Sequence, residues 1–318
     1  MRPATRALLL ACGLAALTLG GFVVPLVWLD AEAGARAGAW ALSMCLTWLC
    51  DSPQSTAEAG ICLLLSLLMA GLVRGAVSLV SQRRSTSRFV DALGSLDSQP
   101  AEGAEVVDSG EVFALCHGLW RPRVALSRGL VELLSRDELE AVLLHERHHQ
   151  AYRDPLKTLL ARSLAGAFFF VPVVSELVER YLQLKELDAD QAAILAQRDR
   201  LPMASAFCKV ARASHSMPHP AIAIGALLSP SADRIAQLTD GSRPRWRPSR
   251  RALALSVVVF GLQLAVGLAA GGMQAFQVMP AVSSGVSAQG IAWALMCCGL
   301  LVALVRFFGG RTAAAPTR

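Results

Sequence analysis

The residues with the most chemical potential stand near the middle of the chain, where His145-Glu146-Arg147-His148-His149 forms an H-E-x-x-H motif. In a helix, positions i and i+4 share a face. His145 and His149 can therefore offer two imidazoles to one metal ion, with Glu146 beside them to act on a water molecule. Imidazole and carboxylate donors suit zinc, and a catalytic zinc site uses three protein ligands and keeps one position open. The third donor is expected downstream, in Lys185-Glu186-Leu187-Asp188-Ala189-Asp190. Glu186 would complete a two-His, one-Glu set for one Zn2+ per chain. Asp190, four residues on, could accept a hydrogen bond from a ligand imidazole and fix its tautomer, while Asp188 is expected to face solvent. The blander alternatives are a solvated histidine face and an ordinary charged helix face. His148, Arg153 and Tyr181 are candidate donors to a transition state, with His148 and Arg153 read rather as surface groups or supports beside the site. His117, His215 and His219 read as structural.

Recognisable elements position these residues. Ser135-Arg136-Asp137-Glu138 has the Ser-x-x-Glu form of a capping box, and Leu139, Val142 and Leu143 follow at helical spacing, so a helix should run to about Tyr152. Asp154-Pro155 reads as an N-cap followed by proline at the first helical position, opening the next helix. A further helix is expected over 181–197. Residues 105–107, 111–116 and 123–127 are short, β-rich and separated by Gly and Pro, as in a small antiparallel sheet. Together these make residues 89–242 a domain of ordinary size, about 150 residues.

The rest of the chain is apolar. Hydrophobic residues make up 54% and charged ones 17%, against roughly 25% charged in soluble domains, and the mean hydropathy is +0.46. Disorder, a coiled coil and a nucleic-acid-binding tail are all excluded by this balance. The net charge of +6 comes from arginines beside apolar runs, where they read as membrane flanks. The eight cysteines contain no C-x-x-C pair, so neither a disulfide scaffold nor a thiolate zinc site is indicated. Spans are expected at about 7–29, 59–82, 252–272 and 291–308, each long enough for a hydrocarbon core of about 30 Å. Basic residues cluster at 1–6, 83–88, 243–251 and 306–318, whereas the 30–58 loop carries Asp30, Glu32, Asp51 and Glu58 against Arg36. Lys/Arg excess marks the cytoplasmic side, which puts both termini and the middle domain in the cytoplasm. The apolar runs 37–50 and 163–174 are too short to cross. Cys45 and Cys50 are either disulfide-bonded or free thiols. The organisation expected is α+β: a mainly helical integral membrane protein with about four transmembrane helices and a small zincin-like cytoplasmic domain. Its parts are a membrane region at 1–88, the zinc domain at 89–242 and a second membrane region at 243–318.

Several motifs together carry a family resemblance: Gly118-Leu119-Trp120-Arg121-Pro122-Arg123-Val124, Leu126-Ser127-Arg128-Gly129-Leu130, Ser135 through His149, Arg153-Asp154, Glu186-x-x-x-Asp190 and Ala232-Asp233-Arg234-Ile235. Over roughly residues 105–240 the chain resembles the BlaR/MecR-type membrane zinc metallopeptidases. That resemblance implies a gluzincin-like peptidase domain at the cytoplasmic face of a multi-pass cell-membrane protein. It also implies His145, His149 and Glu186 as ligands and Glu146 as the base; the substrate expected is a cytoplasmic or membrane protein, such as a transcriptional repressor. HtpX-like proteases share the core motif, although the Gly118 to Arg123 approach fits them less well. The family's antibiotic-sensing members carry a penicillin-binding domain after the last span. Few residues follow that span here, so such a sensor is expected to be lacking. The activity expected is peptide-bond hydrolysis, with a substrate strand laid along an edge near 111–127 and Glu146 moving the water's proton to the leaving amine. The competing reading is a catalytically silent, metal-holding membrane sensor or scaffold; a base at Glu146 favours turnover. Direct nucleic-acid binding is not expected.

Overall fold

The structure, a computed structural model, describes residues 2–28, 56–94, 97–101, 103–215, 231–241 and 246–278. The expected span at 291–308, the 37–50 run with Cys45 and Cys50, and His219 lie outside the described residues. Two long helices come first, α1 (Pro3–Trp28) and α2 (Thr56–Gly94). Strands β1 (Ser98–Ala101), β2 (Ala104–Val107), β3 (Ala114–His117) and β4 (Arg123–Ser127) follow. Then come α3 (Arg128–Leu133), α4 (Arg136–Tyr152), α5 (Asp154–Ala167), α6 (Pro172–Gln197), α7 (Leu201–His215), α8 (Ala232–Thr239) and α9 (Arg250–Val278). The fold is mainly helical with one small sheet, α+β as expected. Among the described residues one helix, over Pro3–Gly20, is long and apolar enough to cross a membrane. Helices α2 and α9 run through the second and third expected spans.

The sheet differs from the expected antiparallel one. Its order is β1-β2-β4-β3, with β2 and β4 parallel and the other two pairs antiparallel. After β3 the chain reverses at Gly118, whose φ of +90° suits a residue without a Cβ, and β4 inserts between β2 and β3. The composition of β4 explains its central place: Val124, Ala125 and Leu126 are all buried, the continuous apolar run of a strand covered on both faces. On one face Ala114, Val124 and Leu126 pack with Ala141 and Val142 of α4 and Met203 of α7. On the other, Val107, Phe113, Leu115 and Ala125 form a second cluster. Strand β1, which the sequence did not announce, is an outer strand and so tolerates Pro100. The short α3 was also unannounced; Ser127 caps it, its side chain accepting from the Leu130 N–H.

The capping box opens α4. Ser135 accepts from the Glu138 N–H, and the Glu138 carboxylate accepts from the Ser135 N–H at 2.8 Å. Glu138 also accepts from Ser205 and Lys209 of α7, at 2.6 and 2.7 Å, which ties the start of α4 to its neighbour. Along α4 the buried positions Ala141, Val142, His145, Glu146 and His149 make one helical stripe, apolar where it meets the sheet and polar further on. The helix stops at Arg153 in the left-handed region, φ 52°, and α5 starts at once. The apolar 163–174 run is split between α5 and α6, with Pro172 opening α6.

Two compact parts can be distinguished. The first comprises Met1–Leu10, Gly75–Gly166 and Leu177–Trp246, and the second Ala11–Arg74, Ala167–Glu176 and Arg247–Arg318. The first holds the sheet and α4. In the second, Gly71 of α2 lies so close to the carbonyl of Ala167 that an added Cβ would stand 2.2 Å from its oxygen. There too, Ser249 binds both carboxylate oxygens of Glu176, at 2.8 and 2.6 Å, at the start of α9.

Candidate metal centre

The polar end of the α4 stripe meets α6. His145 Nε2 and His149 Nε2 stand 3.2 Å apart, and Glu186 Oε2 lies 3.5 Å from the first and 3.4 Å from the second. All three side chains are buried. Donors bound at about 2.1 Å in a tetrahedral array stand about 3.4 Å from one another, so this triangle has the size that a zinc ion requires. The chemistry of the set fits as well, and Glu186 Oε2 has no hydrogen bond. Burial would raise the Glu186 pKa, but Lys185, whose Nζ is 3.1 Å from Oε1, together with His149 and His145 holds it well below the usual carboxylate range. Glu186 is therefore an anion with one oxygen anchored and the other facing the two rings.

Each imidazole is held from behind by a carboxylate. His145 Nδ1 is 2.9 Å from Asp190 Oδ1, close but without the alignment of a hydrogen bond. Arg234 of α8, itself buried, grips Asp190 with two bonds of 2.8 and 2.7 Å. His149 Nδ1 is 2.7 Å from Asp154 Oδ2. From sequence alone Asp154 has only a capping role, and Arg153 is the expected support beside the site. Arg153 is instead exposed, occupied in the left-handed turn, and that turn is what brings Asp154 back toward His149. In the metal-free site burial favours a neutral His149, but Glu186 and Asp154 outweigh it and push the pKa up to about 9.

Glu146 is 2% exposed, and its Oε1 has no hydrogen-bond partner among the described residues. It faces a cavity of about 640 Å³, which it lines together with His149 and Glu186. The outer strand β3 contributes Leu115, Cys116 and His117. Helix α5 presents Pro155, Thr158, Leu159 and Arg162, a single face at i, i+3, i+4 and i+7, and α2 presents Gln82, Ser85 and Thr86. His117, read as structural from sequence, is thus a wall of the cavity, and burial lowers its pKa. Burial, Glu146 and Asp154 push the Cys116 thiol up to about 12, which disfavours its thiolate. Of the candidate transition-state donors, His148 is engaged elsewhere: Arg2 donates to its Nε2 at 3.0 Å and also reaches the Tyr152 hydroxyl. Tyr181 is buried, and its hydroxyl has no hydrogen-bond partner among the described residues. Asp188, expected in solvent, is half-buried.

Comparison with known proteins gives a consistent picture. The family profile described as BlaR1 peptidase M56 matches residues 58–232. A stretch of 93 residues, 29% of this chain, is 33% identical to the protease HtpX homolog of Trichormus variabilis, covering 32% of that protein. The protease HtpX of Cellvibrio japonicus is 31% identical over 131 residues, 38% of this chain and 44% of that protein. The HtpX homolog of Pyrococcus abyssi is 46% identical over 59 residues, 19% of this chain and 20% of that protein. The chain thus spans less than half the length of each of these relatives. No solved structure matches it.

Proposed function

The chain belongs to the BlaR1 peptidase M56 family, and from that premise we propose that it is a membrane-embedded, zinc-dependent endopeptidase. In this reading His145, His149 and Glu186 hold the zinc ion, and Glu146 is the general base and acid. The observation that carries it is the convergence of the two Nε2 atoms and Glu186 Oε2, 3.2 to 3.5 Å apart, on the wall of a cavity that also holds Glu146. A bound zinc ion supplies Lewis acidity and lowers the pKa of a water molecule. The remaining work falls to the chain. Glu146, with one carboxylate oxygen unpaired, takes the proton of the attacking water and returns it to the leaving amine. Asp190, backed by Arg234, and Asp154 keep both imidazoles oriented with Nε2 toward the ion. Outer strand β3 offers main-chain groups to an extended substrate, so that cleavage places little demand on the identity of each residue.

The biological reading follows the charge pattern. Four spans, with the peptidase domain and both termini in the cytoplasm, place the site where it can cut a cytoplasmic or membrane protein, such as a transcriptional repressor, in regulated proteolysis. The test is Glu146→Gln in the full-length protein, with zinc content measured beside cleavage of a mixed quenched-fluorescent peptide library. Zinc should stay at one per chain while cleavage falls about 10³-fold. Cleavage that survives in the zinc-loaded variant would sink the reading, and zinc-loaded wild type without turnover would favour the sensor.

A further inference from the structure

The cavity beside the metal centre is lined by three carboxylates, Glu146, Asp154 and Glu186, and by as many cationic side chains, one of which the metal centre does not use. Three permanently or ordinarily cationic side chains line it: Lys185, Arg234 and Arg162. Lys185 is paired with Glu186 and Arg234 with Asp190. Arg162 has neither an ion pair nor a hydrogen bond among the described residues and is exposed. It sits two turns beyond Asp154 on the α5 face that also presents Thr158 and Leu159 to the cavity. Eight residues of helix rise about 12 Å, and an extended peptide covers that distance in about three or four residues at about 3.3 Å each. Asp154 touches His149, so the start of this ruler is the metal centre and its end is Arg162. Between them α5 presents Pro155, Thr158 and Leu159 to the cavity, none of them charged.

We propose that Arg162 is a specificity-determining residue that selects an acidic side chain about three or four residues from the bond being cut. This rests on the peptidase reading for the words "bond being cut"; the preference for an acidic peptide stands on the cavity alone. The face of α5 sets the backbone of Arg162 at a fixed distance, so the demand falls on a narrow range of substrate positions. An isolated arginine also repels basic peptides, which sharpens the choice from both sides.

The experiment uses the full-length protein in detergent and peptides that carry Asp, Ala or Lys at each position in turn. Wild-type protein should favour Asp over Lys at one position by about fivefold or more in kcat/KM. Arg162→Gln should level that preference, and Arg162→Glu should invert it, with zinc still at one per chain in both. The same peptides are then titrated by fluorescence anisotropy onto zinc-loaded Glu146→Gln, with and without the Arg162 changes. Absence of cleavage in the wild type, with the acidic preference intact in binding, would overturn the peptidase reading and leave this inference standing. A preference that is missing, or unchanged by Arg162→Glu, overturns the inference. So does an Arg162→Glu variant that loses affinity only for anionic phospholipid vesicles, since the arginine would then serve a lipid headgroup.

Discussion

At the scale of single residues, the centre is two imidazoles between a shared acid in front and separate acids behind, and this makes metal binding a competition with protons. Without metal, burial opposes the charge on His149, but Glu186 and Asp154 hold its proton up to about pH 9. Zinc takes neutral imidazole, so that proton must leave as the ion binds. Zinc affinity should therefore fall as pH drops below about 9, which a chelator-competition titration across that range checks. The two supporting carboxylates are not equivalent. Asp154→Asn should weaken zinc about 10-fold to 100-fold with little loss of fold. Asp190→Asn does the same and also removes the charge partner that Asp190 offers the buried guanidinium of Arg234, adding a destabilisation of about 3 kcal/mol; melting temperatures read beside zinc content separate the two. His145, Glu146 and His149 could be proposed from sequence because i, i+4 spacing is a local property of any helix, and Glu186 only as a candidate, since it meets them across 37 positions. Asp154 and Arg234 could not. The role of Asp154 depends on a left-handed turn at Arg153, and that of Arg234 on a contact across 44 positions.

At the scale of elements, local signals were readable and pairing was not. The capping box at Ser135 and Glu138 announced α4 because both halves of it lie within four residues. What it did not announce is that Glu138 also binds Ser205 and Lys209 of α7. Burial would raise its pKa, but those groups and the Ser135 N–H bring it down to about 2 from an ordinary 4.5. A depressed carboxylate pKa contributes stability above the unfolded value and loses it as pH falls through the folded one. Wild-type melting temperature should therefore drop as pH goes from 4.5 toward 2. Glu138→Gln should start about 1–2 kcal/mol less stable at neutral pH and show a flatter acid limb in thermal unfolding. The sheet was misread for a topological reason: three short β-rich stretches look alike whether the last pairs beside the first or beyond the second. Gly118 decides it. With φ at +90° and a Cβ position 2.8 Å from the Arg121 carbonyl oxygen, Gly118→Ala should cost about 1–3 kcal/mol. Because this turn sets strand β3 along the cavity, the variant should lose peptide affinity as well as stability, measured by anisotropy and melting together.

At the scale of the whole molecule, the decisive term is where charge can go. Arginines cannot be carried through hydrocarbon cheaply, so the basic runs at 1–6 and 83–88 and the acidic residues between 30 and 58 support the proposed arrangement, with the basic runs on the cytoplasmic side. Helix α2 makes this testable. Its 39 residues extend about 58 Å, nearly twice a hydrocarbon core of about 30 Å. One helix thus accommodates the apolar residues of the expected second span and the polar turns beyond it, where Gln82, Ser85 and Thr86 face the cavity. Hydropathy could mark that span but not its continuation, since a polar run after an apolar one is equally compatible with a loop. Ser87 is exposed on this continuation and outside the cavity lining, which makes it a neutral reporter. In a full-length protein cleared of its eight native cysteines, Ser87→Cys should resist a membrane-impermeant maleimide in intact cells and react once the membrane is opened. A cysteine placed between residues 30 and 55 should react in intact cells. The reverse labelling would put the metal centre outside the cytoplasm, remove cytoplasmic proteins from its reach, and require the arginine flanks to have been overridden by a span outside the described residues.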